Sequence, residues 1–178
     1  PSAGANYSLT GQITLKVPTG TGVNQFTVTN LQSSIAGVTW TGGSRTNAPV
    51  EDTSTDFISF TFNPYGTNAF NWQAGVELEV FSFSNANACS GVVSVLQNTE
   101  AFAQIPNSVS SNAANQFTNL GWGSVSTNNY LGNYGSPVNC YTNAIPVITS
   151  NGGGSNAAVS VDENQTLVTL VTATDADN

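Results

Sequence analysis

Residues 7 to 17, YSLTGQITLKV, constrain the fold more than any other stretch. Tyr7, Leu9, Ile13, Leu15 and Val17 fall on one side of an extended chain, and Ser8, Thr10, Gln12, Thr14 and Lys16 on the other. That alternation predicts a half-buried β-strand, apolar inward and polar to solvent. More strand-like runs follow in QFTVTNL, GVTW, DFISFTF, VELEVFSF and GVVSVL, each bounded by Gly, Pro, Asn or Ser, which supply turns. No segment repeats its apolar positions with a 3.6-residue period. Several short strands spaced by turns predict an all-β chain, with one antiparallel β-sandwich over residues 1–143.

Between Ala101 and Cys140 the chain becomes dense in Asn, Ser and Gly while keeping Phe117, Trp122, Tyr130 and Tyr134. One or two edge strands inside long ordered loops are expected there. A break follows at TNAIPVITSNGGGSNAA, where Pro146 and three consecutive glycines make residues 144–156 a linker. Residues 157–178 then carry two further strands, with Val159 and Val161 in one and Leu167, Val168, Leu170 and Val171 in the other. Left unpaired, such strands promote aggregation. Three fates would cover them: the rest of a longer protein, the chain's own first domain, or a neighbouring subunit reached by strand donation.

Charge narrows the function. Charged residues make up 7% of the chain, with ten acids against two bases, Lys16 and Arg45, and no histidine. Two cations cannot neutralise a run of phosphates, which excludes nucleic acid and anionic membrane surfaces as partners. No apolar run approaches the roughly 20 residues that span a bilayer. Asn, Ser, Thr and Gly take the places usually held by Lys and Glu, which points outside the cell. In that setting Cys89 and Cys140, not spaced as a metal pair, are expected to form a disulfide. Such a closed loop contributes about 4 kcal/mol in the chain-entropy account. The alternative is two buried thiols in a cytosolic protein, which the composition argues against. Pro1 in the first position suggests a processed or excised piece, with any anchor outside it.

Without histidine, hydrolysis would rest on carboxylates. Glu77 and Glu79 lie about 7 Å apart on one face of a strand, within the span of glycosidase pairs. Their alternation with Val76, Leu78 and Val80 marks them instead as a solvent face, and no enzyme is expected. Glu51, Asp52 and Asp56 precede FISF as a cation-binding cluster or, more simply, a solvated turn. The aromatics are a better lead, because Trp40, Trp72, Trp122, Tyr65, Tyr130 and Tyr134 sit beside Gly, Asn and Thr as in sugar-stacking platforms. Trp40, ending GVTW, reads as core. Trp122, Tyr130 and Tyr134 are the candidate glycan contacts, with loop packing as the competing role. NYS at Asn6 and NQT at Asn164 match the glycosylation pattern, a weak signal.

Residues 143–178, through DEN and ATDADN, resemble the opening of the cadherin-like repeats of large bacterial surface proteins. The resemblance implies calcium at a junction between repeats, with Glu163, Asp175 and Asp177 as ligands. The preceding TNAIPV departs from the family, placing Asn143 where aspartates crowd. The first domain, from SLTGQITLKVPTG through NNYLGNYGS, resembles a module of large secreted adhesins and gliding-type surface proteins. In strand order it is also similar, more loosely, to the sandwiches of cohesin and carbohydrate-binding modules, which makes an Ig-like or cohesin-like sandwich the expected fold. The leading expectation is therefore a non-enzymatic extracellular adhesion module, with neighbouring repeats, copies of itself or glycans as partners and no organic cofactor. A filament subunit assembled by strand addition of residues 157–172, and a carbohydrate-binding module of a secreted protein, are the alternatives.

Overall fold

The structure is a computed structural model that describes residues 7–120, 124, 127–140, 146–153, 156, 158–164 and 170–174. The chain divides into two compact units, Pro1–Cys140 and Tyr141–Asn178. In the first unit the strands are β1 (Ser8–Pro18), β2 (Val28–Ser33), β3 (Thr39–Thr46), β4 (Thr55–Asn63), β5 (Phe81–Asn85), β6 (Gly91–Val95), β7 (Gln116–Asn119) and β8 (Val138–Cys140). All pairings are antiparallel. The main sheet runs β3-β4-β1-β6-β8, with β7 also on β1, and β2 and β5 form a second sheet.

The alternation that predicts β1 also places it at the centre. Ile13, Leu15 and Val17 pair across the ladder with Phe60, Ile58 and Asp56 of β4. With Trp40 and Phe62 these side chains form one face of the main sheet, and Val28, Leu31, Phe81 and Phe83 of the second sheet pack onto it. The Trp40 ring lies 4.6 Å from that of Phe81, and Phe60 lies 5.0 Å from Phe81. Large aromatic areas removed from water thus close the sandwich.

The polar face of β1 is not the solvent face that its alternation predicts. Thr14 is fully buried, and a second apolar cluster of Phe57, Leu96, Phe102, Ala103 and Ala113 forms behind the sheet. Residues 97–115 return across that face: Gln12 Nε2 donates to the carbonyls of Asn112 and Ala114, and Lys16 pairs with Glu100. VELEVFSF differs as well, since β5 begins only at Phe81. Leu78 and Val80 still pack on the core while Glu77 and Glu79 stay exposed, so the run keeps its two faces without a strand's ladder.

The edge of β1 away from β4 is shared. β7 pairs with Ser8 to Gln12, and β6 with Leu15 and Lys16. Between them Asn115 fills the missing rung. Its Oδ1 accepts from the Thr14 N–H at 2.7 Å, and its Nδ2 donates to the Leu96 carbonyl at 2.5 Å. Asn115 itself is fully buried, and its backbone N–H and carbonyl are both held by the Asn98 amide, at 2.7 and 2.8 Å.

In the second unit β9 (Val147–Ile148) pairs antiparallel with β10 (Ala173–Thr174). The linker expected over 144–156 therefore holds a strand, and Gly152 and Gly153, both at positive φ, take the turn after it. Of the residues expected in strands, Val159, Val161, Leu170 and Val171 are exposed and lie outside regular strands, while Leu167 and Val168 fall outside the described residues.

Asn115→Ala leaves the Thr14 N–H and the Leu96 carbonyl buried without this partner, which costs about 2–4 kcal/mol. Calorimetry should show a melting temperature lowered by roughly 5–15 °C. An unchanged value would mean that the amide rung contributes nothing to stability.

Candidate functional site

Cys89 and Cys140 form a disulfide, with Cα atoms 5.4 Å apart. Gly91 pairs with Cys140 and Val93 with Val138, so the bridge lies at the end of the β6–β8 ladder. It closes a loop across a sequence separation of 51 residues that contains all three predicted glycan contacts. Tyr130 is half-buried. Burial pushes its phenol up from its ordinary value, against a hydrogen bond from Asn115 Nδ2 at 3.4 Å. Tyr134 is 92% exposed. Trp122 lies outside the described residues.

Tyr134 stands at the mouth of a pocket of about 200 Å³ between the end of β6 and the loop that leads into β8. Ser94, Val95, Gln97 and Glu100 line one wall, and Asn133 to Pro137 the other. Asn133 fastens the two together, its Nδ2 donating to the Val95 carbonyl at 2.6 Å. Sequence reasoning finds Tyr134 as an aromatic in a polar loop. It misses Ser94, Gln97, Glu100 and Asn133, because only the disulfide and the β6–β8 pairing bring the two walls together.

The other aromatics take structural places. Trp40 is buried in the core. Trp72 stacks on Phe70 at 5.2 Å with rings 5° apart, and its Nε1 donates to Ser8 Oγ at 3.1 Å. Tyr65 is largely exposed.

The acidic cluster before FISF does not converge. Asp56 is fully buried and bound by Arg45 Nη2 at 2.5 Å, Thr19 Oγ1 at 2.9 Å and the Ala48 N–H at 3.0 Å. Burial raises the Asp52 carboxyl, but hydrogen bonds from Ser54 and Thr55 and the charge of Lys16 outweigh it and leave the group below its ordinary value. Glu51 accepts from the hydroxyl and the N–H of Ser108, both at 2.6 Å, and the hydroxyl bond holds its carboxyl below the ordinary value. Among the described residues no group of three or more His, Cys, Asp or Glu is placed to hold a metal ion. Glu163 is exposed in a turn, and Asp175 and Asp177 lie outside the described residues. No helix is long and apolar enough to cross a membrane among the described residues.

The chain matches no protein-family model, no curated protein and no solved structure. What the fold defines is a disulfide-bonded, antiparallel β-sandwich whose polar loops are bound by side-chain amides.

Because the folded-state pKa of Glu51 is depressed, the stabilisation it gives is present above its unfolded-state pKa and is lost as pH falls through the folded value. Ser108→Ala should raise the Glu51 pKa toward the ordinary carboxylate range. Carbon-detected NMR titration of the carboxyl checks this, and an unmoved titration would assign the depression elsewhere.

Proposed function

We propose that the chain is a non-enzymatic extracellular module serving attachment, of the bacterial adhesin kind its sequence resembles. The supporting observation is how its carboxylates are used. The first unit contains six acids, and five are engaged in structure: Asp56 with Arg45, Glu100 with Lys16, Glu51 with Ser108, Asp52 with Ser54 and Glu79 with Ser34. Glu77, the sixth, faces solvent. A carboxylate hydrolase needs an acid and a base flanking one cleft, whereas these groups fasten separate loops and strands. The disulfide and the Asn, Ser and Thr surface fit an oxidising compartment. By the resemblance to cadherin-like repeats, Glu163, Asp175 and Asp177 would bind calcium in the second unit, through oxygen ligands of the kind the ion prefers.

Beads coated with the 178-residue protein should be retained on surfaces bearing polysaccharide or the same protein, and replacing both Glu77 and Glu79 by Gln should leave retention unchanged. No retention on either surface, together with turnover of a glycoside that Glu77→Gln abolishes, would overturn the reading.

A second reading, a filament subunit, is favoured by the open edges of the sandwich. Among the described residues β2 pairs only with β5 and β3 only with β4, and a groove of about 480 Å³ between them is lined by Phe26, Val28, Leu31 and Ile58 among others. An exposed apolar segment of a second copy, such as Val159 with Val161 or Leu170 with Val171, has the composition to add a strand there. Electron microscopy and light scattering, with calcium and with chelator, test this reading. Ordered fibres that vanish on deleting residues 157–178 support it, and a monomer at all concentrations excludes it.

A further inference from the structure

We propose that the pocket between β6 and the loop at Asn133–Pro137 binds one ring of a neutral saccharide, with Tyr134 as the stacking platform. The inference rests on reading the chain as an attachment module and gives that module a ligand class. Three observations carry it.

The first is the ring itself. Tyr134 is 92% exposed, yet its flanks are fixed: Asn133 is bonded to the Val95 carbonyl, and β8 begins at Val138, paired with Val93. An aromatic face held open to water in a fixed frame is preorganised for a flat, partly apolar ligand, and the C–H face of a pyranose is one.

The second is the polar lining. The side chains of Ser94, Gln97 and Ser136 make no hydrogen bond among the described residues, so two hydroxyls and an amide remain to donate and accept. Hydroxyl-rich ligands are read by such mixed donors and acceptors.

The third is charge and size. Lys16 and Arg45 are the only basic side chains, and both are committed to ion pairs, with Glu100 and Asp56. The Glu100 carboxylate in the lining is therefore accompanied by no spare cation, which disfavours phosphate, sulfate and uronic acids. At about 200 Å³ the pocket lies below the roughly 300–1,000 Å³ of drug-sized sites, which fits a single sugar ring rather than a folded peptide.

The test is titration of the intact, disulfide-bonded protein with neutral gluco-, galacto-, manno- and chito-oligosaccharides, followed by amide NMR shifts. Binding should shift the amides of Gln97 and Asn133 to Ser136. Tyr134→Ala should weaken it about tenfold, and Tyr134→Phe, which keeps the ring, about twofold or less. Tyr65→Ala, at an exposed aromatic away from the pocket, should leave it unchanged. Binding that Tyr134→Ala and Gln97→Ala both leave intact would place the sugar elsewhere, and binding of acidic saccharides alone would refute the ligand class. If coated beads are retained on surfaces but no neutral oligosaccharide binds, the subsite falls and the attachment reading stands. If Tyr134-dependent binding is seen while beads are not retained, the subsite stands and the attachment reading falls.

Discussion

The Asn115 amide holds the first unit together at the point where its backbone ladder is interrupted. β1 is longer than any partner on its outer edge, so β6 and β7 divide that edge; the Leu96 N–H still donates to the Thr14 carbonyl at 2.9 Å, but the Thr14 N–H and the Leu96 carbonyl do not meet. A side-chain amide carries the same donor and acceptor as a peptide group, and Asn115 presents them where a strand would. Once it is seated, Asn98 holds its backbone, and Asn128 donates to its carbonyl at 2.8 Å while accepting from the N–H groups of Phe117 and Tyr130. The same device recurs at Asn85, which accepts from the Thr27 N–H, and at Asn107, which donates to the carbonyls of Phe102 and Ser111. The abundance of asparagine thus has a structural use: it lets irregular segments be buried with their backbone groups satisfied.

This explains how a chain so poor in charge keeps long loops in place. Among the described residues two ion pairs are formed, and they differ in kind. Lys16 and Glu100 are both partly exposed and tie the cover at 97–115 to β1. Asp56 is fully buried, and its three donors compensate for the loss of water around the carboxylate. Amides do the remaining work at no cost in desolvated charge.

The parts of the fold that alternate were legible in the sequence. In β1 the predicted inward residues Ile13, Leu15 and Val17 pack into the core closed by the second sheet, whereas Tyr7, predicted inward, is exposed and Ser8, predicted outward, is buried. In β4, Ile58, Phe60 and Phe62 alternate into the same core. The burial of Thr14 was not legible, because the segment that covers it is built from Asn, Ser and Ala with no apolar period. VELEV shows the complementary gap: alternation reports which side faces the core, not whether a neighbouring strand is present to pair with. At the candidate site, Tyr134 stood out as an aromatic in polar surroundings. Gln97 and Asn133 did not, since an amide in an amide-rich chain has no local signature, and only the β6–β8 pairing makes them neighbours.

The covalent bridge has a mechanical meaning. Tension applied along the chain from one end to the other crosses from Cys89 to Cys140 through the sulfurs, so the backbone between them carries no covalent load while the bond lasts. All the residues that line the Tyr134 pocket, from Ser94 to Pro137, belong to that bypassed segment. The pocket therefore lies outside the covalent line of pull, and load reaches its β6 wall through the pairing with β1 and the Lys16–Glu100 contact.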